Sequence, residues 1–77
     1  MAHFNPSNRR NISGIMHQRE RYRTQFMNAF EAAAVATCPA LAGRVSWADA
    51  IHYWHASGYQ PDKGTACGIR YANNVST

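Results

Sequence analysis

Arg9, Arg10, Arg19, Arg21 and Arg23 stand within the first 23 residues of this chain, with Glu20 as the one acid among them. Guanidinium groups gathered this closely suit the contact of phosphate oxygens above other chemistry, because each offers a planar fork of donors and a permanent charge. A second group, Asp49, His52 and His55, recurs at intervals of three. On a helix that spacing lines one side of a metal site or holds an acid beside a base. A zinc centre needs a third or fourth protein ligand, however. The remaining candidates, His3, His17, Cys38 and Cys67, follow no recognised ligand spacing. No metal or other cofactor is expected, and His52, Tyr53 and His55 are read instead as a second candidate binding face.

Cys38 and Cys67 invite two further readings. A thiol paired with a histidine is a nucleophile only when three-dimensional geometry makes it one, and buried inert cysteines are the commoner case. A Cys38–Cys67 disulfide would staple a small fold, but a reducing compartment disfavours it, and spacing alone leaves the pairing open. The chain has no glycine-rich phosphate loop and no nucleophile elbow, and its four acids suggest no paired-carboxylate site. The sequence therefore reads as a binding protein and not an enzyme, with no catalytic residues assigned.

The distribution of charge matters more than its total. The formal net charge is +4, and the five arginines less Glu20 account for all of it. From Thr24 onward Arg44, Lys63 and Arg70 are balanced by Glu31, Asp49 and Asp62. A cationic field concentrated at one end of a molecule attracts a polyanion better than the same charge spread evenly.

The element that must carry these arginines runs from Ser13 to Cys38. Tyr22, Phe26, Ala29, Phe30, Ala33 and Thr37 recur at three- and four-residue intervals, which lays them along one side of a helix. The alanines from Ala29 to Ala36 add high intrinsic helix propensity. Pro39 disfavours helical backbone at Cys38 and sets the far end. Helical projection puts Arg19 on the same side as Ile15, Tyr22 and Phe26. An arginine cannot sit unpaired in a core, so this end of the helix is expected to overhang the body and offer a surface to a partner. Arg23 neighbours Arg19 at i,i+4, and Arg21 points the other way.

A second, short helix is predicted from Ser46 to Ser57. Ser46 and Asp49 form a capping pattern, Trp47, Ala50, Ile51 and Trp54 make an apolar stripe, and Gly58 with Tyr59 has the form of a Schellman ending. Both tryptophans are expected at the centre of the core with Phe26 and Phe30. The link PALAGRV turns the chain between the two helices, with Leu41 tucked beneath, and GYQPDKG makes a second turn. Residues 65–73 alternate like a strand at Cys67, Ile69 and Tyr71, yet also fit a short helix capped by Thr65. A lone strand would have no partner, so a helix closing the open side of the first two is expected.

Together these elements predict an all-α, three-helix single domain over residues 13–75, preceded by a flexible basic arm over residues 1–12. At 77 residues such a domain buries only about 60% of its unfolded surface, so a second copy of the chain, in a homodimer, would add useful stability. No apolar run is long enough for a membrane and no secretion signal opens the chain, so the cytoplasm is the expected compartment.

Two functions fit. In the first, Arg9, Arg10, Arg19, Arg21 and Arg23 contact nucleic-acid phosphates and the arm tracks a groove. The second and third elements are only loosely similar to a helix-turn-helix, since their turn is long and the third element holds Arg70 alone for contacts. In the second function the basic helix end, or the face of His52, Tyr53 and His55, docks on an acidic or nucleic-acid-binding protein. Small single domains without catalytic signatures are typical of phage and mobile-element accessory proteins, among them anti-CRISPR-type inhibitors of host defence.

Overall fold

A computed structural model describes residues 6–76, with helical backbone alone over residues 6–17 and side chains from residue 18. The basic arm expected over residues 1–12, with Arg9 and Arg10, lies outside the described side chains. Three α-helices follow one another, α1 (Pro6–Thr37), α2 (Trp47–Ala56) and α3 (Gly64–Val75), and no strand occurs among the described residues. The strand alternative for residues 65–73 is thereby removed.

Helix α1 has 32 residues, which at 1.5 Å per residue makes it about 48 Å long. Helices α2 and α3 are far shorter, so they cover only part of it. The molecule measures 60 × 20 × 18 Å. The covered part begins at Phe26: Phe26, Phe30 and Ala34 are wholly buried and Met27 nearly so, whereas residues 18–25 are all exposed. Helix α1 ends where the sequence requires it to. Cys38, ahead of Pro39, takes an extended backbone (φ −137°, ψ 92°), and a single 3₁₀ turn at Pro39–Leu41 leads into Gly43, whose φ of +73° reverses the chain.

The principal partner of α1 is α3 and not α2, which revises the expected order of packing. The reason lies in side-chain size. Gly64, Gly68 and Ala72 follow one another at four-residue spacing on α3 and are buried against α1. A Cβ added at Gly64 would lie 2.6 Å from the Phe26 carbonyl oxygen and 3.0 Å from the Ala29 Cβ. One added at Gly68 would lie closer still to the Phe30 carbonyl oxygen and 3.0 Å from the Ala33 Cβ. The two backbones therefore touch through hydrogen-sized side chains. Glycine normally weakens a helix interior by about 1 kcal/mol. Here that cost is offset by close packing along the whole interface. Thr65, expected as the cap of this helix, falls inside its first turn, because α3 starts directly from the 3₁₀ turn Pro61–Lys63.

Helix α2 contacts both. Its start is as expected: Ser46 is extended (φ −81°, ψ 129°) and its hydroxyl oxygen accepts a hydrogen bond from the Asp49 backbone N–H at 3.4 Å. That distance is at the outer limit of a useful bond, so Ser46→Ala is expected to cost only about 0.5 kcal/mol, the low end for a lost cap. Urea unfolding followed by circular dichroism measures it.

An aromatic cluster forms the centre of the core. Phe26 stacks on Phe30 at 5.9 Å between ring centroids, Trp54 leans on Phe26 at 5.1 Å, and Tyr71 meets Phe30 at 5.2 Å. Trp47 is not part of it, against expectation, and is 64% exposed. As the first residue of α2 it lies at the helix start beside a shallow cleft lined by Met27, Glu31 and Val45, and these neighbours leave most of the ring uncovered. Cys38 and Cys67 are free thiols, part-buried at the edge of the core. No helix among the described residues is long and apolar enough to cross a membrane.

Candidate nucleic-acid interface

The stripe that forms the core along Phe26 and Phe30 continues toward the N-terminus of α1 as Tyr22, Arg23 and Arg19. Beyond Phe26 neither α2 nor α3 covers it. Arg19, Arg21 and Arg23 are all exposed, and among the described residues no acid pairs with any of them. Arg21 points away from Arg19 and Arg23, so the cationic surface wraps more than one side of the helix.

Arg19, Glu20, Tyr22 and Arg23 form one wall of an open groove of about 540 Å³, and Trp54 and Tyr59 form the other. The second wall is built by the way α2 ends. Gly58 has φ +76°, its N–H donates to the His55 carbonyl at 3.1 Å, and the Tyr59 N–H donates to the Trp54 carbonyl at 3.3 Å. These two bonds make a complete Schellman motif. The motif turns the chain back so that the Tyr59 ring meets Trp54 edge-on at 5.6 Å and His55 edge-on at 5.3 Å. The Tyr59 hydroxyl and His55 Nδ1 are hydrogen-bond partners at 3.0 Å.

Tyr59 itself has φ +61°. A bulky residue in the left-handed region is uncommon and costs on the order of 1 kcal/mol or more, and such strain concentrates at sites where a side chain must be held in one place. Tyr59 is held on two rings and one hydrogen bond, yet stays 58% exposed. On the opposite wall Gln18 Nε2 donates to the Tyr22 hydroxyl at 2.9 Å, which steadies that ring along the helix.

The other expected face divides. His52 and His55 are exposed, but Tyr53 is turned inward. It packs on Phe30 at 5.4 Å and on Tyr71 at 6.1 Å, and its hydroxyl accepts from Asn74 Nδ2 at 3.1 Å. Tyr53 thus ties α2 to both other helices. His52 lies against Tyr53, and His55 belongs with Tyr59 on the groove side. Among the described residues no three His, Cys, Asp or Glu side chains gather where they can hold a metal ion.

The sequence pattern marks Arg19, Arg21 and Arg23 as surface residues but sets Tyr22 on the core stripe and Tyr59 in the Schellman ending, and marks neither ring as exposed. The available signal was Arg19. Its place in line with Phe26 meant that the stripe had to leave the core between the two, where Tyr22 stands. Comparison with protein-family models, curated protein sequences and solved structures gives no match for this chain.

Proposed function

We propose that this chain is a small non-enzymatic binding protein whose basic N-terminal arm and helix end dock on the phosphates of a nucleic acid. The reading rests above all on Arg19, Arg21 and Arg23, exposed and free of acidic partners among the described residues on a stretch of α1 that α2 and α3 leave bare. Unpaired guanidinium groups on a projecting helix are available to displace condensed counterions, and they need no deformation of the body to do so. Arg9 and Arg10 extend the same cluster along the chain.

A gel-shift titration of the purified protein on DNA and RNA at 50 and 200 mM salt tests the reading. Binding that weakens by about 10³-fold between the two conditions is expected if about six phosphates are neutralised. No shift even at the lower salt would overturn it.

A second reading is a protein-binding adaptor or inhibitor, of the kind phages and mobile elements use against host nucleic-acid-binding complexes. Trp47 favours it, as a largely exposed tryptophan beside a shallow cleft formed with Met27, Glu31 and Val45. Tryptophan is the residue most enriched among dominant interface contacts.

A further inference from the structure

We propose that the groove between α1 and the end of α2 takes single-stranded nucleic acid, with an unstacked base against Tyr59 and the adjoining phosphates on Arg19 and Arg23. The inference deepens the phosphate-docking reading and rests on it.

The composition of the two walls leads to this assignment. A site for phosphate alone needs cations and leaves the rest of its surface polar. Here the wall facing Arg19 and Arg23 is aromatic, made by Trp54 and Tyr59. Trp54 is only 7% exposed and serves as backing, while Tyr59 is 58% exposed and lines the groove. Base stacking on an aromatic ring beside a positively charged track is the recurring way in which single strands are held without sequence readout. In a duplex the bases are stacked on one another inside the helix and cannot reach a ring on the wall of a groove. A duplex would meet only the arginines.

Tyr59 is also built to stay in place. Its ring is braced edge-on by Trp54 and His55, its hydroxyl is bonded to His55, and its backbone is locked by the Schellman hydrogen bonds at a left-handed φ. A ring fixed in advance loses little conformational freedom when a base stacks on it. Glu20 lines the facing wall together with Arg19 and Arg23. A single acid between two arginines weakens phosphate attraction locally and favours a neutral base over a second phosphate at that point.

The test uses Tyr59→Asn and Tyr59→Phe in the full chain. Asparagine tolerates the left-handed conformation better than most residues, so Tyr59→Asn removes the ring without adding backbone strain. Thermal unfolding checks that the variant is folded. Tyr59→Phe keeps the ring and removes only the hydroxyl bond to His55. Affinities for a labelled 12-nucleotide oligothymidylate, for a 12-base-pair duplex and for thymidine monophosphate are read by fluorescence anisotropy and competition at 50 mM salt.

The wild-type chain is expected to prefer the single strand to the duplex by on the order of tenfold. Tyr59→Asn should lose that preference by weakening single-strand binding alone, and Tyr59→Phe should retain it. Competition by the free nucleotide at the same concentration as the oligonucleotide would point to a nucleotide site and overturn the proposal. Equal binding of strand and duplex, unchanged in Tyr59→Asn, would overturn it while leaving phosphate docking intact. Absence of binding to either polymer would remove both.

Discussion

Gly68→Ala is expected to destabilise this protein by about 3 kcal/mol, more than half of the total stability of a domain on the order of 5 kcal/mol, and to raise the unfolded fraction to a few per cent. Intrinsic propensity predicts the opposite, a gain of about 1 kcal/mol, because alanine is a better helix former than glycine. Geometry decides between them. The added methyl group would enter the space of the Phe30 carbonyl oxygen, with the Ala33 Cβ also 3.0 Å away. Neither neighbour is the mobile end of a long side chain, so α3 as a whole would have to move off α1. That displacement would loosen Tyr71 and Ala72, both buried in the same interface. Gly43→Asn is the natural comparison. Gly43 also has a special backbone, at φ +73°, but nothing lies within 4 Å of an added Cβ. Asparagine accepts that φ, so a cost within about 1 kcal/mol is expected. Urea unfolding monitored by circular dichroism measures both variants. A Gly68→Ala protein as stable as the wild type would mean that the backbones of α1 and α3 do not approach as described.

The combined substitution of Arg19, Arg21 and Arg23 by alanine should lower affinity for nucleic acid by roughly 100-fold at 0.1 M salt. The estimate follows from counterion release: each phosphate neutralised contributes about 0.7 to 0.9 to the salt slope, and at 0.1 M each such unit is worth a factor of about ten in affinity. Without these three guanidinium groups the slope therefore falls by about two units or more. The slope is the more telling quantity, because a variant that merely binds worse through misfolding would not change it in proportion to the charges removed. All three positions are exposed and outside the buried core, so stability should change by no more than about 0.5 kcal/mol. An unchanged salt slope in the triple variant would show that the phosphates are met elsewhere on the molecule.

These two expectations draw on different levels of organisation. The arginines act through a field that depends on where charge is placed along the chain, and that was legible before any fold was known. The glycines act through a close approach that exists only once α3 lies on α1. Taken locally, Gly68 weakens a strand and a helix alike. Nothing local distinguishes a glycine that weakens an element from one that allows another backbone to approach.

Trp47 and Tyr59 illustrate the same division. By period Trp47 belongs to the apolar stripe of α2, and Tyr59 belongs to the Schellman ending that follows it. The repeat at Trp47, Ala50, Ile51 and Trp54 describes one uniform stripe, whereas the fold buries Ala50 and Trp54 and leaves Trp47, at the helix start beside Met27 and Glu31, largely exposed. Tyr59 was correctly tied to Trp54 through the Schellman ending. What local pattern left undetermined was that the far side of this ring would look across open space at α1.

By itself the sequence determined the helical class, the end of α1 at Pro39, the capped start and Schellman end of α2, and the gathering of positive charge toward the N-terminus. Each of these follows from residues within a few positions of one another, through backbone preference, capping or Coulomb's law. Only the tertiary structure decided that α3 is the chief partner of α1, that Tyr53 faces inward and Trp47 outward, and that Arg19, Arg23 and Tyr59 border a common groove. Those outcomes depend on how far one helix extends beyond two shorter ones, and that length difference acquires meaning only when the helices lie side by side.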